Sequence, residues 1–174
     1  MNGPGGASVT ELFRALGPGL RLYARQWVDV SVADDVVQDV FIRLLSGGKV
    51  PNEPRTWLYR CVRNAAISAA RSTRRRGRRE QAVATDASAW FIACPEDRID
   101  AHAAREAMSK LPSTQREILT LRVWSGLTLA EIRDITALPT STIHDQLHAA
   151  LATLRAQLEQ SCRKTNPSTQ TKSN

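Results

Sequence analysis

The sequence predicts an all-α protein of two small helical domains joined by a flexible linker, the second a helix-turn-helix four-helix domain. Three observations carry this expectation. Apolar residues recur at steps of three and four, and strand-like alternation nowhere reaches a useful length. The periodicity fades after residue 80, around Pro95, and resumes near Glu96. Near the C-terminus a short capped segment, a turn and a long amphipathic segment follow one another at helix-turn-helix spacing. The boundaries expected are 8–80 for the first domain, 81–96 for the linker, 97–162 for the second domain and 163–174 for a disordered tail.

The elements follow in order. A first helix is expected over 8–27, with Leu12, Leu16, Leu20 and Tyr23 near one face and Gly17-Pro18-Gly19 as a point where it could divide. A second, over 32–46, places Asp34 and Asp35 in its first turn, where the helix dipole favours negative charge. Its apolar stripe is Val36, Val37, Val40, Phe41 and Leu44, and Asp35, Gln38 and Asp39 lie opposite. Residues 47–54, rich in Gly and Pro, read as a loop. A third helix over 55–73 turns Trp57, Leu58, Cys61, Val62, Ala65 and Ala69 inward, with Arg60, Arg63, Asn64, Ile67, Arg71 and Arg74 on the other stripe. A short helix is expected at 89–92 inside the linker.

In the second half, helices are expected at 97–110 and 113–124, the latter with Ile118 and Leu121 inward and ended by Gly126. Thr128 and Glu131 form a capping box for a helix of about eight residues. Its apolar positions are Leu129, Ile132 and Ile135. After a four-residue turn, Thr140-Ser141-Thr142 caps a long helix whose apolar positions are Ile143, Leu147, Leu151, Leu154 and Leu158.

Composition narrows the function. The chain has 174 residues, 42% of them hydrophobic and only 5% aromatic, so an aliphatic core is expected. No run approaches the ~18 apolar residues of a membrane span, and the N-terminus lacks a signal pattern. Three scattered cysteines without a Cys-x-x-Cys pair argue against a disulfide scaffold and for a reducing cytoplasm. The net charge of +7 is concentrated: residues 55–79 hold nine arginines and no acid. Folding opposes such a concentration, so a polyanion is the expected partner. With no acids at helical spacing to pair them and Trp57 beside them, these arginines suit single-stranded nucleic acid better than a merely solvated helix end.

The helix-turn-helix would present Thr140, Ser141, Thr142, His144, Asp145, Gln146 and His148 to base edges; the competing reading is an ordinary helical hairpin. Residues 104–162 hold six bases and six acids, so that half has little electrostatic grip on phosphate. His144 and His148 are a four-residue-spaced pair whose neighbour Asp145 is expected to point elsewhere, so no metal site is expected. No P-loop, nucleophile elbow or His-Glu-x-x-His appears, so no enzyme and no cofactor are expected.

Taken together, these segments resemble the extracytoplasmic-function sigma factors of bacterial RNA polymerase. Asp34 to Leu44 is similar to the family's polymerase-binding region 2 helix, and Thr56 to Ala66 to its promoter-melting helix. Leu111-Pro112 with Gln115 to Leu119, Leu121 and Arg122, and Gly126 to Ile132, resemble region 4. The resemblance spans about residues 9–158 and implies core RNA polymerase (β′ clamp helices and β) and promoter DNA as partners, with room for an anti-sigma factor and none for a membrane. It implies polymerase docking by Asp35, Gln38 and Asp39. Minus-ten recognition and melting fall to Arg60, Arg63, Asn64, Arg71 and Arg74, with the loop 47–54. Minus-thirty-five reading falls to Thr140, Ser141, Thr142, His144, Gln146 and His148. The chain departs from the family where His144, Asp145-Gln146 and His148 replace basic or small polar residues, and where Arg133 stands in place of a small alanine. That loss of positive charge implies a minus-thirty-five contact that is weak, pH-sensitive or directed at an unusual sequence. Two rivals remain at this point: a sigma-like regulator whose C-terminal domain binds a protein partner rather than DNA, and a dimeric helix-turn-helix repressor, which leaves the acidic 34–39 face unexplained.

Overall fold

The computed structural model describes residues 8–47, 50–77 and 106–165, with side chains to 75 in the second stretch and to 159 in the third. The expected helix at 89–92 and most of that at 97–110 lie outside these residues, as does the tail beyond Thr165. Among the described residues there is no strand. The helices are α1 (Val9–Ala24), α2 (Val30–Ser46), α3 (Pro54–Gly77), α4 (Ser113–Leu119), α5 (Leu129–Thr136) and α6 (Thr140–Thr165). Residues 106–109 are also helical. None is long and apolar enough to cross a membrane.

Ser8 and Glu11 form a capping box at the start of α1, which runs unbroken through Gly17-Pro18-Gly19. Pro18 removes one N–H from the helix ladder, and both it and Arg14, one turn earlier, are exposed residues. α2 begins two residues earlier than its charge pattern implies. Asp29 is the N-cap, accepting from the Val32 N–H at 3.0 Å, so Asp34 and Asp35 lie beyond the first turn. Asp34 instead receives the Arg21 guanidinium at 2.8 Å, tying α2 to α1. α3 extends a full turn past the expected Thr73, to Gly77.

The apolar stripe of α2 is buried as the periodicity requires: Val36, Val37, Val40, Phe41 and Leu44, joined by Ala33. They pack with Leu12, Leu20, Leu58, Val62 and Ala66, and Phe13 meets Phe41 edge-on at 5.0 Å. The core is mostly aliphatic, as expected, and within it Tyr23 and Tyr59 are buried with ring centroids 5.4 Å apart. Both belong to the apolar face of their helices, and phenols enter a core only when the hydroxyl finds a partner.

The second half differs from its expected outline in four places. The helix from Ser113 is α-helical only to Leu119 and then widens into a π turn over Thr120–Trp124, closed by Gly126 at φ +61°. The turn after α5 is three residues long, 137–139, with Ala137 left-handed at φ 59°. Thr140, Ser141 and Thr142 are the first turn of α6 rather than its cap. On α6 the buried face runs through Ile143, Leu147, Ala150 and Leu154, so Leu151 and Leu158 are left exposed. These two sit a residue or more off that line, about 60–80° round the helix from Ile143.

The halves share one core. Ile118, Leu121, Leu127, Ile132, Ile135 and Ile143 belong to the same buried cluster as the residues of α1, α2 and α3. A smaller cluster of Met108, Leu111, Leu119 and Ala150 closes the second half, with Leu22 of α1 packed against it.

Candidate nucleic-acid interface

Helix α3 supplies the basic surface. Arg60, Asn64, Arg71, Arg74 and Arg75 are all exposed, at steps that keep them along one side of the helix. Arg71, Arg74 and Arg75 line a shallow open depression at its C-terminal end. None of these arginines is paired with a described acid. Unpaired guanidinium groups along one ridge repel each other in isolation, and an anionic backbone relieves that repulsion. Trp57 is half-buried and packs against the core, which leaves little of its ring as a stacking surface.

Arg63 departs from the stripe. Its Nε–H donates to Glu117 Oε1 at 2.6 Å, and a terminal nitrogen lies 3.4 Å from Oε2. The Tyr23 hydroxyl donates to the same Oε1 at 2.7 Å. The Glu117 side chain is 8% exposed and that of Arg63 24%. Burial, reinforced by the Glu117 charge, pushes the Tyr23 phenol well above its ordinary range, so it stays a donor. Burial works against the Arg63 charge, but the hydrogen bond and charge of Glu117 outweigh it and raise the guanidinium above its usual value. Near the start of α3, Arg55 donates to the Ser125 carbonyl, next to Gly126. Sequence reasoning singled out neither Glu117 nor Arg55 as a contact between the halves. The available signal was an acid beside Ile118 on the inward face of α4.

On α2, Asp35, Gln38 and Asp39 are exposed together, opposite the buried stripe. The same surface carries Ile42 and Leu45, 58% and 62% exposed, which the sequence reading left unassigned. Both fall outside the 36/37/40/41/44 stripe, and that was a legible sign that they face something other than this core.

The helix-turn-helix has Thr128 and Glu131 as a reciprocal capping box on α5, with bonds of 2.7 and 3.2 Å. Packing of Ile132 and Ile135 against Ile143 seats α6 on α5. Thr140, Ser141, His144 and His148 are exposed; Thr142 and Gln146 are half-buried. The His144 and His148 rings lie 4.3 Å apart. Asp145 does not point away, because its Oδ1 is 3.5 Å from His144 Nδ1. No group of three side chains able to hold a metal ion occurs among the described residues. Arg133 is exposed and pairs with Asp134 at 2.9 Å, so it displaces nothing in the core. Cys61 is a free thiol raised above its usual value by burial, which makes it a poor nucleophile.

Comparison with known proteins places this geometry. Residues 12–76 match the family Sigma-70 region 2, and residues 101–154 match Sigma-70, region 4. The chain is 30% identical over 128 residues to the RNA polymerase sigma factor SigV of Bacillus subtilis, covering 71% of this chain and 74% of that one. It is 26% identical over 152 residues to the ECF RNA polymerase sigma factor SigW of the same organism, covering 79% and 81%. In fold it is similar to the sigma factor RpoE of Bartonella quintana, solved in complex with the anti-sigma factor NepR. The TM-score is 0.73 at 21% identity, over 86% of this chain and 96% of that one.

Proposed function

The chain belongs to the sigma-70 family of RNA polymerase sigma factors, in its extracytoplasmic-function group, and from that premise we propose the division of labour among its surfaces. It acts as a transcription initiation factor: it binds core RNA polymerase, directs it to promoter DNA, and carries no catalytic chemistry of its own. Residues 8–80 form the region 2-like domain and 97–162 the region 4-like domain.

Asp35, Gln38 and Asp39 of α2 dock on the β′ clamp helices, with Ile42 and Leu45 supplying apolar area beside them. Arg60, Asn64, Arg71 and Arg74 of α3 follow the backbone of the opened minus-ten strand, and Arg63 joins them when it is released from Glu117. Thr140, Ser141, Thr142, His144, Gln146 and His148 face the minus-thirty-five element. The observation that carries this reading is the adjacency of two unlike surfaces. An acid-rich face of α2 and an unpaired arginine ridge of α3 stand on helices that pack together, so one domain meets protein and nucleic acid at once. The region 4 match favours DNA reading by the second half over a protein-binding module.

The test is transcription with purified core enzyme. The chain and core together are expected to give start-site-specific transcripts, and neither alone gives any. Gln38→Ala with Asp39→Lys is expected to abolish core binding while stability changes by less than about 0.5 kcal/mol, since both positions are exposed. Tight, sequence-specific duplex binding by the lone chain, without core, would favour the repressor reading instead.

A further inference from the structure

Three polar side chains converge on the first turns of α6. His144 and His148 stand four residues apart on one face, both exposed, and their rings come together with centroids 4.3 Å apart. Asp145 belongs to the same patch: its Oδ1 is 3.5 Å from His144 Nδ1, and it precedes His148 by three residues, the other spacing that places neighbours on a helix surface. A carboxylate beside that nitrogen favours the tautomer with its proton on Nδ1, which leaves the Nε2 lone pair free. A metal-binding imidazole backed by an outer carboxylate has this arrangement, and the spacing of two histidines does not supply it by itself. Two rings that share one ion at about 2 Å from each nitrogen stand roughly 4.5–5 Å apart, so a small rotation of either ring closes the chelate.

We infer that His144 and His148 chelate one divalent transition-metal ion of the nickel and zinc class, with Asp145 orienting His144 and the remaining positions taken by water or by DNA. Imidazole nitrogen selects that class over magnesium and calcium, which take oxygen ligands. Two protein ligands make an exchangeable site rather than a structural one. The pair shares the exposed surface of α6 with Thr140 and Ser141, so the open positions are accessible from outside. There the ion brings two positive charges to a surface on which Asp145 opposes phosphate, and its open positions suit the purine N7 acceptors of a major groove. Metal loading therefore strengthens minus-thirty-five engagement. That consequence rests on the assignment of this face to the minus-thirty-five element; the ion site itself does not.

The test titrates the full chain with nickel, read by calorimetry and by paramagnetic broadening of the imidazole signals in NMR spectra. One ion per chain is expected, with broadening centred on the His144 and His148 rings, weaker binding of cobalt and no response to magnesium. His148→Ala, at an exposed position, is expected to abolish binding with helix content unchanged. Asp145→Asn keeps both ligands and is expected to weaken nickel binding about tenfold. Nickel bound equally by wild type and His148→Ala overturns the site, as does the absence of binding. Wild-type affinity in Asp145→Asn overturns the orienting role of the carboxylate. Capture of duplexes from a random-sequence pool by the chain with core polymerase, with and without nickel, reads the link to DNA. A gain of about tenfold that His148→Ala loses is expected, and by reciprocity the captured duplex tightens nickel by the same factor. Nickel binding with capture unchanged overturns that link. No capture under either condition, with nickel still bound, refutes the functional reading and leaves the metal site in place.

Discussion

Gly19 and Tyr59 meet through a missing side chain: a β-carbon on Gly19 would stand 2.7 Å from the Tyr59 hydroxyl. The ring cannot easily retreat, because Tyr59 is buried and rests edge-on against Tyr23. This contact is what the glycine in the middle of α1 provides.

Gly19→Ala is therefore expected to destabilise the protein by about 1 kcal/mol, overpacking outweighing the ~1 kcal/mol that alanine normally gains in a helix. Adding Tyr59→Phe, which removes the clashing atom, is expected to restore most of the loss in urea denaturation. A single variant more stable than wild type would show that the ring yields freely.

The arginines of α3 are expected to separate into two classes. Arg60→Ala should leave stability within about 0.5 kcal/mol of wild type, because the side chain is exposed and unpaired. Arg63→Ala should cost up to about 3 kcal/mol by stranding the buried Glu117 carboxylate. In open-complex binding with core enzyme, each should lower the salt slope by roughly 0.7. Equal stabilities for the two variants would contradict the pairing seen here.

Ala137 closes α5 in the left-handed region at φ 59°, on an exposed turn. Ala137→Gly is expected to stabilise by about 1 kcal/mol, raising the denaturation midpoint at an unchanged m-value. A lower midpoint would mean that this turn relaxes in solution.

Two cap carboxylates set an acid limb. Asp29 is held below the usual carboxylate range chiefly by the Val32 N–H, and Glu131 chiefly by the Thr128 N–H. Their folded-state values are depressed, so the stability they contribute is complete above the unfolded value of about 4 and is lost as pH falls through the lower folded values. Asp29→Asn with Glu131→Gln is expected to flatten the stability profile in that acid window. A profile with unchanged slope would remove the caps as its cause.

Periodicity served well wherever the deciding contacts are local. The α2 stripe, the inward Ile118 and Leu121 and the Thr128–Glu131 box follow from spacing and short-range hydrogen bonding, and each stands where it was expected. Helix ends were less legible. Asp34-Asp35 pointed to a start at residue 32, but Asp29 caps the helix from Val30 and Asp34 pairs with Arg21. Leu151 and Leu158 match a heptad-like pattern, yet the neighbouring elements cover the line through Ala150 and Leu154 instead.

What the sequence determined by itself is the helical class, the order of the segments, the acid-rich and arginine-rich faces, and the family. These are properties of a helix taken one at a time, set by which residue follows which at steps of three and four. Arg60 and Arg63 are indistinguishable on that basis, both lying on the outward stripe of α3. Only the tertiary structure separates them, because the carboxylate that captures Arg63 arrives from 54 residues away. A pairing of that range depends on how the two halves pack on one core, and no local pattern encodes it.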